Sequence, residues 1–80
     1  MKMILIINPV ACIIPEAGDW TIIEDCTLAT SSTTPANVIV QNNSVLTIPN
    51  GLTLTIDLAN NSLTVVSGSG VLIQSGGTIT

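Results

Sequence analysis

Residues 37–80 read NVIVQNNSVLTIPNGLTLTIDLANNSLTVVSGSGVLIQSGGTIT, and this stretch decides the fold. Short segments in it alternate apolar and polar residues, and they begin at Val38, Leu46, Leu54, Leu63, Val71 and Ile79. The steps between these positions are eight, eight, nine, eight and eight residues. Alternation of period two is typical of β-strands with one buried face, and no helical period fits it. The stretch therefore predicts a β repeat.

Small polar turns close the alternating segments. They are rich in Asn, Gly and Ser, which tolerate positive φ or hydrogen-bond their own backbone. The turns lie at 42–44, 50–51, 60–62, 67–70 and 75–77. In the segment from Leu54 to Leu58, the alternation predicts one strand with Leu58 facing inward. Asp57 then points outward from that strand into solvent.

The composition limits both the fold and the function. Eighty residues form one small domain at most, and Trp20 is the single aromatic residue. The chain has no His, one basic residue (Lys2), five acids and a net charge of −4. Nucleic acid is excluded as a partner, because neutralising phosphates needs a basic patch. No apolar run reaches the roughly 18 residues of a membrane-spanning helix.

The fold prediction is all-β: a short parallel β-helix (β-solenoid) with an aliphatic core, no helix of note and an apolar N-terminal arm. We assign the arm to residues 1–19 and the solenoid domain to residues 20–80. The apolar run Ile4, Leu5, Ile6 and Ile7 fits a first strand of the same fold, a strand donated to a neighbouring copy, or a truncated export signal. Residues 10–14, between two prolines, could cap the end of the solenoid or reach another subunit.

Residues 20–36 lead into the repeat. Trp20, Ile22, Cys26 and Leu28 fall on one face, and Trp20 is expected to fill the core of the first layer. Stacking of a ligand on Trp20 is the alternative. Residues 29–36 (ATSSTTPA) predict a polar loop that ends at a corner set by Pro35.

Cys12 and Cys26 are the two cysteines of the chain. In a small exported protein a disulfide is the natural interpretation, since such folds rely on covalent links. Two buried free thiols are the alternative. A metal site is disfavoured, because two thiols without a His cannot fill four tetrahedral positions.

The repeat resembles parallel β-helix segments of exported archaeal cell-surface proteins. The resemblance rests on Trp20, on Asp25-Cys26-Thr27, on the NVIVQN and LTIP runs from residue 37 to Gly51, and on GSGVLIQSGGTI at 68–79. It covers about residues 20–80 and implies a parallel β-helix without bringing catalytic residues. Gln74 stands where the family pattern leads us to expect Lys.

Enzymatic activity is not expected, because the chain offers no His base and no nucleophile paired with one. No cofactor and no metal are expected either. Asn42 and Asn60 begin Asn-x-Ser sequons in turns, so N-glycosylation is possible on export; plain turn chemistry is the alternative. Thr53-x-Thr55 and Thr78-x-Thr80 suggest the threonine rows of ice-binding solenoids. The segments 38–41 and 71–74 lack the pair, which argues against such a face.

The sequence therefore predicts a structural subunit that self-assembles head to tail into an extracellular or cell-surface filament. The last segment, 78–80, is incomplete and has no polar cap, so we expect it to expose strand edges to another copy. A monomeric adhesion module that binds carbohydrate through an Asn/Thr face is the alternative function. The expected subunit contacts are Ile4, Leu5, Ile6, Ile7, Val10, Ile13, Ile14, Trp20, Ile73, Thr78, Ile79 and Thr80.

Overall fold

The computed structural model describes residues 10–80, and this part of the chain is all-β, with nine short strands and no helix. Every pairing between these strands is parallel. The strands are β1 (Trp20–Ile22), β2 (Cys26–Thr27), β3 (Ser32–Thr33), β4 (Val38–Val40), β5 (Val45–Ile48), β6 (Thr53–Thr55), β7 (Leu63–Val65), β8 (Gly70–Ile73) and β9 (Thr78–Ile79).

The strands form three sheets of three, and consecutive strands always belong to different sheets. Sheet 1 has the order β1-β4-β7, sheet 2 the order β2-β5-β8 and sheet 3 the order β3-β6-β9. We call β1–β3 layer one, β4–β6 layer two and β7–β9 layer three. The chain therefore visits all three sheets once in each layer before it returns to the first sheet.

The register explains the period found in the sequence. Between layers two and three, paired residues are 25 positions apart in all three sheets. This distance corresponds to three successive steps of eight, eight and nine residues. Between layers one and two the distances are only 18, 20 and 22 in sheets 1, 2 and 3. Layer one is therefore connected by shorter turns, which is why its sequence does not show the repeat.

One apolar core lies between the three sheets. Layer two supplies most of it, and its inward side chains are the least exposed of the chain. Burial of each such aliphatic side chain stabilises the fold by about 1.5–3 kcal/mol. The buried apolar residues are Trp20, Ile22, Cys26, Leu28, Val38, Val40, Leu46, Ile48, Leu54 and Ile56. Trp20 packs in layer one, as the sequence predicted.

Residues 29–36 were predicted as a loop, and this prediction is wrong in part, because they contain strand β3. The strand escapes the sequence pattern because its inward positions are polar. Ser32 pairs with the buried Leu54, and Thr34 is itself buried. The Thr34 hydroxyl donates to the carbonyl of Ala36 at 3.4 Å, and this hydrogen bond allows the polar side chain to be buried.

The predicted strand from Leu54 to Leu58 is also too long. Strand β6 ends at Thr55, and Leu58 is 58% exposed in the turn that follows. Asp57 begins this turn: its Oδ1 accepts the backbone N–H of Ala59 at 3.3 Å and its Oδ2 accepts Nδ2 of Asn60 at 2.8 Å. Asp57 is thus exposed, as predicted, but its carboxylate holds a turn and does not lie in a strand.

Residues 10–12 of the arm pair in parallel with β2. Ala11 forms a bridge with Thr27, whose N–H donates to the carbonyl of Val10 at 2.7 Å. The N–H of Cys12 donates to the carbonyl of Thr27 at 2.9 Å, and Cys12 forms a disulfide with Cys26. This segment therefore covers the outer edge of β2. The predictions for residues 4–7 fall outside the described part of the chain.

Candidate functional site

The inward side chains of layer three form an apolar surface that we call the end layer. Each pairs with a layer-two residue of 0% exposure, yet Val65 and Ile73 are themselves 43% and 47% exposed. The end layer consists of Leu63, Val65, Val71, Ile73 and Ile79. Layer two lies on one side of these residues, and nothing in the described part of the chain covers the other.

Within residues 10–80, strands β7, β8 and β9 are all edge strands, since each has a strand partner in layer two alone. The N–H groups of Val66, Gly70 and Thr80 donate to layer-two carbonyls at 2.8, 2.9 and 3.0 Å. In a parallel ladder alternate residues direct their N–H and C=O groups to opposite edges. The other edge of each strand therefore presents unpaired donors and acceptors next to the end layer.

The opposite end of the molecule presents β1, the segment Val10–Cys12 and β3. Thr27 bonds to this segment twice: its N–H donates to the carbonyl of Val10, and its carbonyl accepts the N–H of Cys12. The backbone groups of Ala11 therefore face away from β2. Among the described residues they have no partner, so another parallel strand can extend sheet 2 there.

A shallow cavity of about 180 Å³ lies between this segment and β1. Its lining is mostly apolar, with Val10, Ile13 and Ile23 largely exposed and Trp20 only 5% exposed. Glu24 is the one acid in the lining. The cavity lacks a nucleophile beside a base, so it offers apolar contact rather than acid–base chemistry.

Three of the five acids serve backbone structure. Asp19 accepts the N–H of Asn37 at 3.2 Å, and Asp25 accepts the N–H of Val45 at 2.8 Å. These two carboxylates link layer one to layer two, and Asp57 holds its own turn. Among residues 10–80, no group of three or more His, Cys, Asp or Glu side chains could hold a metal ion.

The predicted contact residues lie at both ends of the molecule. At the layer-one end Val10 and Ile13 are exposed and Ile14 is half-buried. At the layer-three end Ile73, Thr78 and Thr80 are exposed and Ile79 is half-buried. Trp20 is buried within the chain, which leaves little of its side chain for a neighbour. The sequence analysis did not include Leu63, Val65 and Val71 among the subunit contacts, although each stands 25 positions after a fully buried residue.

The two sequons differ in their surroundings. Asn42 is exposed at φ 64°, and its Nδ2 donates to the carbonyl of Ile23 at 2.9 Å. Ser44, the third residue of that sequon, is 1% exposed. In the second sequon Asn60 and Ser62 are both exposed. The chain therefore presents the second sequon more openly.

Comparisons with family models, curated proteins and solved structures gave no match. The resemblance to archaeal β-helix proteins therefore stays a prediction. In the described residues there is no helix of the length and apolar character required to cross a membrane.

Proposed function

We propose that the chain is a structural subunit. In this proposal the three sheets are the faces of a short parallel β-solenoid, and copies stack head to tail into an extracellular filament. The observation that carries the proposal is the end layer, where five in-register apolar residues lie beside three strand edges. Such an edge is a template for pairing with another chain.

The energetics favour another β layer as the occupant. Covering a Val, Leu or Ile side chain fully is worth about 1.5–3 kcal/mol, and the end layer gains part of this at each of its five positions. Association costs about 4–15 kcal/mol, so side-chain burial alone is marginal. Backbone pairing in three sheets at once adds to it, and a β layer is a partner that supplies both contributions.

Two different ends meet in such a stack. In sheet 2, β8 of one copy would pair with Val10–Cys12 of the next, which runs parallel to β2 and has the backbone groups of Ala11 free. Because the two surfaces are different, the contact is heterologous, and repeating it generates an open polymer. Burial of the end layer then recurs at every junction.

The disulfide supports an extracellular location. Disulfides persist in oxidising compartments and are rare in reducing cytosols. The bond between Cys12 and Cys26 also holds Val10–Cys12 at the layer-one end, where the proposal needs it.

Sedimentation velocity and negative-stain electron microscopy of the purified chain at neutral pH test the proposal. We expect filaments from the wild type and dispersed protein from Ile73→Lys, because Ile73 belongs to the end layer. Leu72→Lys is the matched control. Leu72 is 51% exposed and Ile73 is 47% exposed, but Leu72 lies on the outer face, where it pairs with Thr47. Both substitutions add the same charge, so only the face differs.

A second variant tests the layer-one end. Ala11→Pro removes an N–H that makes no bond to β2, so we expect shorter filaments from a folded chain. A wild type that stays monodisperse overturns the proposal, and so does equal assembly by the Ile73 and Leu72 variants. A monodisperse chain that binds members of a glycan panel would instead favour the adhesion module.

A further inference from the structure

The outer face of sheet 3 carries two columns of hydroxyl side chains. Leu54 is fully buried and Ile79 half-buried, so the residues that flank each of them point outward. Layer one supplies Ser31 and Thr33, layer two Thr53 and Thr55, and layer three Thr78 and Thr80. We call these six residues the hydroxyl array.

The pairing places the six residues in two columns. Thr33 pairs with Thr55, and Thr53 pairs with Thr78. Thr80 lies beside Thr55, because its N–H donates to the carbonyl of Leu54 and its carbonyl accepts the N–H of Ile56. The N–H of Thr53 donates to Oγ of Ser31 at 3.0 Å, which places Ser31 at the head of the first column.

This arrangement corrects the argument against a threonine face. Residues 38–41 and 71–74 lack the Thr-x-Thr pair, but they follow sheets 1 and 2. A flat face needs a hydroxyl pair in every layer of one sheet only. Sheet 3 has Thr-x-Thr in layers two and three and Ser31-x-Thr33 in layer one. The outward column of sheet 1 runs Thr21, Ile39, Thr64, and that of sheet 2 ends at Leu72.

The array is regular and uncharged. Neighbouring strands lie about 4.7–4.9 Å apart, and residues two positions apart on a strand lie about 6.6 Å apart. The five threonine hydroxyls donate no hydrogen bond within the described part of the chain, so they are free to bond outward. Each threonine also presents a methyl group beside its hydroxyl.

A repeating array suits a repeating ligand. A discrete small molecule is normally held in a concave pocket, which the face of a sheet does not provide. For the flat surface of a crystalline polysaccharide we would expect exposed aromatic rings, which supply a large, rigid apolar contact area. The single aromatic residue of this chain is Trp20, which is 5% exposed. The surface of ice is itself a repeating array of hydroxyl groups, so hydroxyls and methyls held at the regular spacings of a parallel sheet can contact it without an aromatic ring.

We propose that the hydroxyl array binds the surface of ice. The inference does not depend on filament formation, because one chain presents all six residues. In a head-to-tail stack the columns would lengthen, and ice binding would strengthen with the number of copies. Ice binding by a single copy is therefore the stricter test of the array.

The test measures how much protein is incorporated into slowly growing polycrystalline ice. The wild type and the variants are compared as fractions of equal sedimentation coefficient, so that all have the same assembly size. We expect the ice to enrich the wild type several-fold over Thr78→Tyr, which places a bulky ring in the array. Thr64→Tyr is the matched control, since Thr64 is also exposed in layer three but belongs to sheet 1. Thr80→Tyr provides a second position, and circular dichroism with thermal unfolding verifies that each variant is folded.

Three results would overturn the inference. The first is exclusion of the wild type from ice to the same extent as an unrelated soluble protein. The second is equal incorporation of the folded Thr78→Tyr, Thr80→Tyr and Thr64→Tyr chains. The third is adsorption of the wild type to crystalline cellulose or chitin without incorporation into ice, which would assign the array to a polysaccharide surface.

Discussion

At the scale of single residues, the turns depend on left-handed backbone conformations. Asn42 and Asn43 have φ of 64° and 56°, and Gly51 and Gly68 have φ of 82° and 89°. A residue with a Cβ is sterically strained in this conformation, and Asn tolerates it best after Gly. Gly68 also lies against the side chain of Asn43 in the layer below, where a Cβ would meet Oδ1.

Three glycine substitutions separate these two effects. Gly51→Ala has open space, so we expect a loss of about 1–2 kcal/mol in the free energy of unfolding from the backbone alone. Gly68→Ala adds the collision with Asn43 and should cost more. Gly70→Ala is the control, because it has neither positive φ nor a neighbour within 4 Å, and we expect no loss or a gain of about 0.4–1 kcal/mol.

Chemical denaturation of the three variants measures these differences. Adding Asn43→Gly to Gly68→Ala should recover the steric part of the loss, as a double-mutant cycle would show. Equal destabilisation by Gly51→Ala and Gly68→Ala would contradict the stacking of the two turns.

At the scale of elements, the segment Val10–Cys12 is attached to β2 by a single bridge and the disulfide. So short a pairing is weak without a covalent link. Closing a loop of about 15 residues stabilises a fold by about 3 kcal/mol in the chain-entropy model. The disulfide should therefore decide whether the segment stays on β2.

Reduction of the disulfide tests this dependence. We expect reductant to lower the free energy of unfolding by about 2–4 kcal/mol. Hydrogen exchange should accelerate at the N–H of Thr27, which donates to Val10, more than at the N–H of Gln74, which donates to Ile48. The Cys12→Ala variant should not respond to reductant. Unchanged protection of Thr27 would show that the segment pairs without the bond.

At the scale of the whole molecule, layer two has a paired layer on both sides, while layer three has one on a single side within residues 10–80. A layer of this kind gains stability from its neighbours, as repeats do in solenoids. The sequence carries a net charge of −4, so copies that approach end to end repel each other.

Ionic strength therefore offers a test of the proposed stacking. We expect added salt, from about 10 mM to 150 mM, to speed filament growth in light scattering, because the Debye length falls from about 30 Å to about 8 Å. Sucrose at matched viscosity is the control. Slower growth at high salt would show that the contact is held by opposite charges, against the apolar interface proposed here.

Much of the β structure was accessible from sequence, because large apolar residues mark the inward positions from Val38 onward. The alternation predicted the positions of all six strands after residue 37 and the polar turns between them. It failed at β3, where Ser32 and Thr34 occupy inward positions, and at Leu58, where the carboxylate of Asp57 turns the chain. At β3 the apolar pattern is absent, and at Leu58 the hydrogen bonds of the Asp57 turn outweigh it.

The sequence by itself determined the all-β character, the aliphatic core and the period, since side-chain alternation and turn chemistry are local properties. The tertiary structure decided which segments share a sheet, because parallel partners lie 18 to 25 residues apart, beyond the reach of a local sequence pattern. That grouping placed the Thr-x-Thr pairs on one face. It also showed that the apolar residues of layer three, in register with a fully buried layer, are the ones left partly in water.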